Sequence, residues 1–170
     1  MDPSITSINN TLGYLKLISG EETILIGPTD GKSAIAEAKD VFTSYIDYHF
    51  LSYGSDIKSK PSGPTNIEVY ELVRDGNFYQ IFTGARSNLD SLCLEQSQII
   101  EFARHQRKWL RTDGDATFFL YKVRGEYFVA SVFFDGYSRL RVSAHKLGFG
   151  HIWCAGFRHR VVVPQLTLAN

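Results

Sequence analysis

Residues 117–146 read TFFLYKVRGEYFVASVFFDGYSRLRVSAHK. Three aromatic-rich apolar runs are parted by Arg124-Gly125 and Asp135-Gly136, dipeptides that reverse a chain tightly. The pattern predicts antiparallel strands over Thr117 to Val123, Tyr127 to Phe134 and Arg139 to His145. The middle run is apolar on both faces, as a central, covered strand should be. Further strands are expected over His151 to Cys154 and Arg158 to Val163. Pro164 closes the series, because proline cannot donate to a ladder.

Upstream, Ile99, Phe102, Ala103, Gln106, Trp109 and Leu110 recur at helical spacing, predicting a helix over Leu94 to Leu110. Glu95 stands in its first turn and Arg107, Lys108 and Arg111 at its end, which complements the helix dipole. A second helix is expected over Ser33 to His49, with Ile35, Ala38, Phe42, Tyr45, Ile46 and His49 on one face. Between them, Ile67 to Val73 alternates as a strand, and Asp75-Gly76 signals a hairpin into a strand over Asn77 to Phe82. Leu12 to Ile18 and Thr23 to Ile26 read as short strands joined at Gly20 and Glu21. Leu51 to Pro64, rich in Gly, Ser, Lys and Pro, reads as a connector.

The class is therefore α+β: a mainly antiparallel β-sheet with two principal helices packed on it. A chain of 170 residues fits a single domain over 1–170, with a flexible connector at about 51–64. Two cysteines, Cys93 and Cys154, make no disulfide framework, and both read as buried small hydrophobes. Met1 to Asn10 lacks the basic stretch and apolar run of a secretory signal. No segment approaches the ~18 apolar residues of a membrane helix. The expected location is the cytoplasm, with no membrane partner.

The formal net charge is zero, but its distribution is lopsided. Residues 1–103 carry 14 acidic and 7 basic side chains; residues 104–170 carry 11 basic and 4 acidic. Such asymmetry hints at an anionic partner. In the expected strands Arg139, Arg141, Ser143 and His145 share a face, as do Arg158 and Arg160. Neighbouring strands would place the four arginines on one side of the sheet, where guanidinium forks suit phosphate and nearby Tyr137, Phe149, Trp153 and Phe157 could stack on bases. The competing account is neutralisation by the acidic first half, and a neutral pI weighs against a dedicated nucleic-acid domain.

Other motifs are weaker. Gly27-Pro28-Thr29-Asp30-Gly31-Lys32-Ser33 resembles a phosphate loop but has three residues, not four, between its glycines, so different amides converge. Gly31, Lys32 and Ser33 at a helix start remain an anion-loop candidate. His145, His151, Cys154 and His159 supply four metal-ligand types, yet His151 and Cys154 would point to opposite faces of a strand. Asp113 and Asp115 lack the oxygen series and closing Glu of a calcium loop. No metal and no cofactor is expected.

The chain reads first as a non-enzymatic binding or interaction protein, acting through a basic C-terminal sheet face on an acidic protein partner or on a second copy of itself. The alternative is a nucleic-acid (polyanion) binder using the same arginines. A third reading is an enzyme whose site lies near the Gly27–Ser33 loop or the His/Cys cluster; no catalytic constellation is visible to support it.

Overall fold

The computed structural model describes residues 11–112 and 115–166. Two of the stretches read above, Met1 to Asn10 and the turn at Asp113, lie outside the described residues. A nine-stranded sheet organises the rest. β1 (Thr11–Leu12) and β2 (Leu15–Leu17) form a hairpin. β2 and β3 (Ile24–Ile26) pair with opposite ends of β5 (Thr65–Leu72). They do not pair with each other as consecutive strands. Instead the link between them is fastened to mid-β5: the Ile18 and Ser19 amides donate to the Val69 carbonyl, and the Ser19 hydroxyl accepts from the Val69 amide.

Beyond β5 the order is β9 (Arg160–Pro164), β6 (Thr117–Val123), β7 (Glu126–Phe134), β8 (Leu140–Lys146) and β4 (Tyr45–Ile46). β9–β6 and β4–β8 are parallel and the other pairs antiparallel, so the sheet is mixed. The α+β class stands, and the strands over 117–146 form as their sequence dictates. Arg124 and Gly125 both take positive φ, 51° and 81°, at the β6–β7 turn. The last strand runs Arg160–Pro164. His151 to Cys154 is not a strand; Trp153 makes an isolated bridge to Gly76 instead.

Three α-helices accompany the sheet: α1 (His49–Ser52), α2 (Phe78–Ala85) and α3 (Gln96–His105). The two longer ones contribute to separate cores. One core joins α3 and the 3₁₀ turn Ile35–Glu37 to Val69, Val162, Phe119, Ala130 and Ala144, a continuous row across five strands. The other joins α2 to Tyr70, Val161 and Phe118 in the adjacent row. Covering both faces explains why β6 and β7 carry apolar residues on both faces. Phe78 anchors the second core, fully buried and edge-on to Phe118 at 4.9 Å; truncating such a ring costs about 3–5 kcal/mol.

Two expected elements are replaced. No helix spans Ser33 to His49: only the 3₁₀ turn Ile35–Glu37, β4 and the start of α1 are regular. The stretch includes Val41, Thr43, Tyr45 and Ile46, residues that favour extended backbone. The Asp75-Gly76 hairpin is also absent. Asn77 caps α2: its Oδ1 accepts from the Gln80 amide at 2.9 Å, and the Gln80 side chain accepts from the Asn77 amide at 3.0 Å. This is a reciprocal capping box. The third element is shortened, since α3 ends at His105 and a 3₁₀ turn, Arg107–Trp109, follows. The 51–64 stretch is stitched down. Ile57 O accepts from Gln96 Nε2, Ser59 Oγ from the Ser97 amide, and Ser62 and Thr29 exchange backbone bonds.

Candidate functional site

β4 pairs with only the first part of the β8 edge. The Asp47 amide donates to Val142 O at 3.0 Å, and there the chain leaves the sheet for α1. The Asp47 carboxylate then stands in for strand backbone: Oδ2 accepts from the Ala144 amide at 3.1 Å. Oδ1 accepts from the His49 amide at 3.0 Å and lies 2.9 Å from His49 Nδ1. A carboxylate only accepts, so Nδ1 is the donor in this contact.

Between α1 and the β8 edge lies a cleft of about 990 Å³, at the upper end of ligand-site volumes. A column of rings forms its wall. His49 stacks on Tyr53 at 5.0 Å, Tyr53 on Phe128 at 5.6 Å, and Phe128 on Tyr121 at 5.7 Å. Lys146 Nζ stands 5.4 Å from the Tyr53 ring centre, and it has no carboxylate partner among the described residues. Tyr45 and Phe149 expose ring surface at the rim.

On the α2 side of β8 a smaller pocket, about 260 Å³, is bounded by Ser131, Phe133, Ser143, His145, Trp153 and His159. The His159 Nδ1 accepts from the Ala116 amide at 3.1 Å, which puts the proton of its neutral ring on Nε2. Burial holds the pKa of both His145 and His159 below the ordinary histidine value. The Trp153 ring sits between these imidazoles, 6.2 Å from His145 and 5.3 Å from His159.

The four arginines do not share a face. Strand register aligns Arg160 with Thr117, Val132 and Val142, whereas Arg141 pairs with Phe133, one residue out of that row. A one-residue offset in a strand reverses the face. Arg160 turns to the α3 side and donates to the Trp109 carbonyl at 2.9 Å. Arg141 lies on the α2 side, over the Phe133 and Tyr45 rings at 5.0 and 5.4 Å. Arg139 pairs with Asp135 at 3.0 Å. Asp135 also holds bonds from the Ser44 hydroxyl and the Arg139 and Tyr137 amides, which keep its carboxyl far below the usual range. Arg158 takes a left-handed conformation, φ 55°, before β9 and is exposed.

The acidic first half does meet part of the basic second half: Arg104 bonds Asp40 at 2.7 Å, Lys108 bonds Glu22 at 2.9 Å and Lys122 bonds Asp90 at 3.0 Å. In the Gly27–Ser33 loop, Gly31 is buried with φ +74°, and a Cβ there would stand 2.4 Å from the Lys60 carbonyl carbon. The Lys32 amide is taken by Asp30 Oδ1 at 2.9 Å, and the loop leads into the 3₁₀ turn Ile35–Glu37 rather than an α-helix.

His145, His151 and His159 are linked through aromatic rings, with His151 meeting Trp153 at 4.5 Å and Phe149 at 6.0 Å, and Cys154 takes no part in these contacts. Among the described residues no group of three or more His, Cys, Asp or Glu is placed to hold a metal ion. Cys93 is half-buried and its thiol is pushed up to about 12 by burial, whereas Cys154 is exposed, contrary to the expectation for both. No helix among the described residues is long and apolar enough to cross a membrane.

Sequence reasoning passed over Tyr53, put Asp47 on the polar face of the expected Ser33 to His49 helix and placed His49 on its apolar face. The missed signal was Asp47 two residues before a short helix, where its side chain caps the His49 amide in an Asx-turn. No family model matches the chain, and no curated protein and no solved structure matches it either.

Proposed function

We propose that this chain is a non-enzymatic interaction protein that takes a segment of an acidic partner protein into the cleft between α1 and β8. One observation carries the reading. The cleft is walled by the stacked column His49–Tyr53–Phe128, with the Lys146 ammonium, which has no carboxylate partner among the described residues, beside the Tyr53 ring. Exposed rings supply large contact area at low entropy cost. A partner side chain bearing a ring would lie against Tyr53 and Phe149, and a carboxylate beside it would meet Lys146. The arginine set of the last strands is a poorer candidate for the same role. Arg160 is spent on carbonyls, Arg139 on Asp135, and Arg141 and Arg160 face opposite ways. The same dispersal weakens the nucleic-acid alternative, which needs one continuous basic track.

The test is an amide NMR screen of the 19.2 kDa chain with fragments joining an aromatic ring to a carboxylate. Shifts clustering on His49, Tyr53, Lys146 and Phe149, and lost in Lys146→Glu, support the reading. Shifts clustering on Arg139, Arg141 and Arg158 instead would return the site to the basic strands.

A further inference from the structure

On the α2 face of the sheet, β7 and β8 present Ser131 and Ser143 directly opposite one another. Ser131 is almost wholly buried, and neither hydroxyl has a protein partner among the described residues. Both face the 260 Å³ pocket that His145, Trp153 and His159 complete. The Trp153 indole nitrogen is buried without an acceptor among the described residues. The His159 Nδ1 already accepts from a backbone amide, so the neutral ring has only its Nε2–H to offer. Two strand positions before Ser143, on the same face, stands Arg141, which makes no ion pair among the described residues and whose Nε is buried without an acceptor. Among the described residues no carboxylate side chain lines the pocket. Ser131, Ser143, Trp153 and His159 each have an O–H or N–H to donate here, and buried polar groups in a folded chain find partners.

We infer that this pocket binds a small oxyanion of carboxylate or phosphate type, held by the Ser131 and Ser143 hydroxyls and the His159 and Trp153 ring N–H groups beside the Arg141 charge. This site is separate from the cleft proposed above, although Ser143 and His145 border both. Acceptor oxygens are the complement that hydroxyl, imidazole and indole donors share. The volume excludes anything much larger than a few non-hydrogen atoms beyond the head group. Arg141 adds charge attraction to an otherwise neutral donor set.

The experiment titrates the full chain separately with sodium acetate, sodium phosphate and, as a halide control at equal ionic strength, sodium chloride. It follows the Trp153 indole N–H resonance and the Ser131 and Ser143 amides. Saturable shifts at these positions with acetate or phosphate, absent with chloride, are expected, and whichever anion binds more tightly identifies the head group. Ser131→Ala together with Ser143→Ala should weaken that anion at least tenfold while leaving the amide spectrum outside the pocket unchanged. Shifts with all three salts alike, or none up to about 100 mM, would overturn the assignment. Equal affinity in Arg141→Gln and in the double serine variant would overturn it as well. Fragment shifts at His49 and Tyr53 are read independently, so failure here leaves the cleft reading standing, and the reverse.

Discussion

Replacing Asp47 with Ala tests how the cleft is built. Its side chain is 13% exposed and holds the Ala144 amide, the His49 amide and the His49 ring. Ala144 is 1% exposed, so water does not readily replace the lost acceptor, and a buried orphan amide costs about 1–3 kcal/mol. The His49 groups sit at a solvated rim, where rehydration limits each loss to roughly 0–1 kcal/mol. Together the substitution should cost about 2–4 kcal/mol. For a chain of this size that lowers Tm by on the order of 10 °C. The assay is urea unfolding followed by tryptophan fluorescence, with the m-value unchanged from wild type. Asp47→Asn keeps one acceptor oxygen and should lose roughly half as much. His49→Ala leaves the Asp47–Ala144 bond intact and should stay within about 1 kcal/mol of wild type. A loss under about 0.5 kcal/mol for Asp47→Ala, or a larger loss for His49→Ala, would refute the idea that this carboxylate replaces strand backbone at the β8 edge.

Gly31→Ala forces a Cβ to 2.4 Å from the Lys60 carbonyl carbon at φ +74°, and should destabilise by about 2 kcal/mol or more. Gly27→Ala, with open space at its Cβ, should stay within about 1 kcal/mol in the same melt. His159 has its pKa lowered by burial, so the unfolded chain binds the proton more readily. Stability should therefore hold above the ordinary histidine pKa of about 6.5 and fall as pH drops through and below it. His159→Asn, which keeps an acceptor for the Ala116 amide, should show a shallower fall between pH 7 and 5. In the native protein iodoacetamide should modify exposed Cys154 within minutes and spare Cys93, whose thiolate is suppressed by burial; intact mass after quenching reads this directly.

Sheet register was legible where side-chain chemistry is decisive. The β6–β7–β8 meander follows from three apolar runs parted by Asp135-Gly136 and by Arg124-Gly125, whose left-handed backbone fits the turn. Local signals misled where two rules conflicted. Asp75-Gly76 is a sound hairpin cue, but Asn77 and Gln80 close a capping box, and Phe78, Ile81, Phe82 and Ala85 share a helical face. The capping box was present in the sequence, and it outweighs a dipeptide because it satisfies two orphan amides. Residues 33–49 show helical spacing by coincidence, since a 3₁₀ turn and a two-residue strand can bury the same apolar positions. The charge asymmetry was real, but the faces of its arginines depended on a parallel β9–β6 register. Nothing in the sequence specifies that register, which brings together strands some 40 residues apart. The cleft was hidden for the same reason: α1 is brought to β8 by the parallel β4–β8 pairing and the Asp47–Ala144 bond, which join segments far apart in the chain.

Photo-crosslinking in the source cells tests the central claim most directly. Benzoylphenylalanine replaces Phe149, 44% exposed in the cleft, or Tyr137, 82% exposed beside Arg139. The account predicts a discrete protein adduct from position 149 that disappears when Gly148→Trp fills the cleft, a change with no neighbour to clash with its Cβ. An adduct from position 137 alone, unaffected by Gly148→Trp, would contradict it.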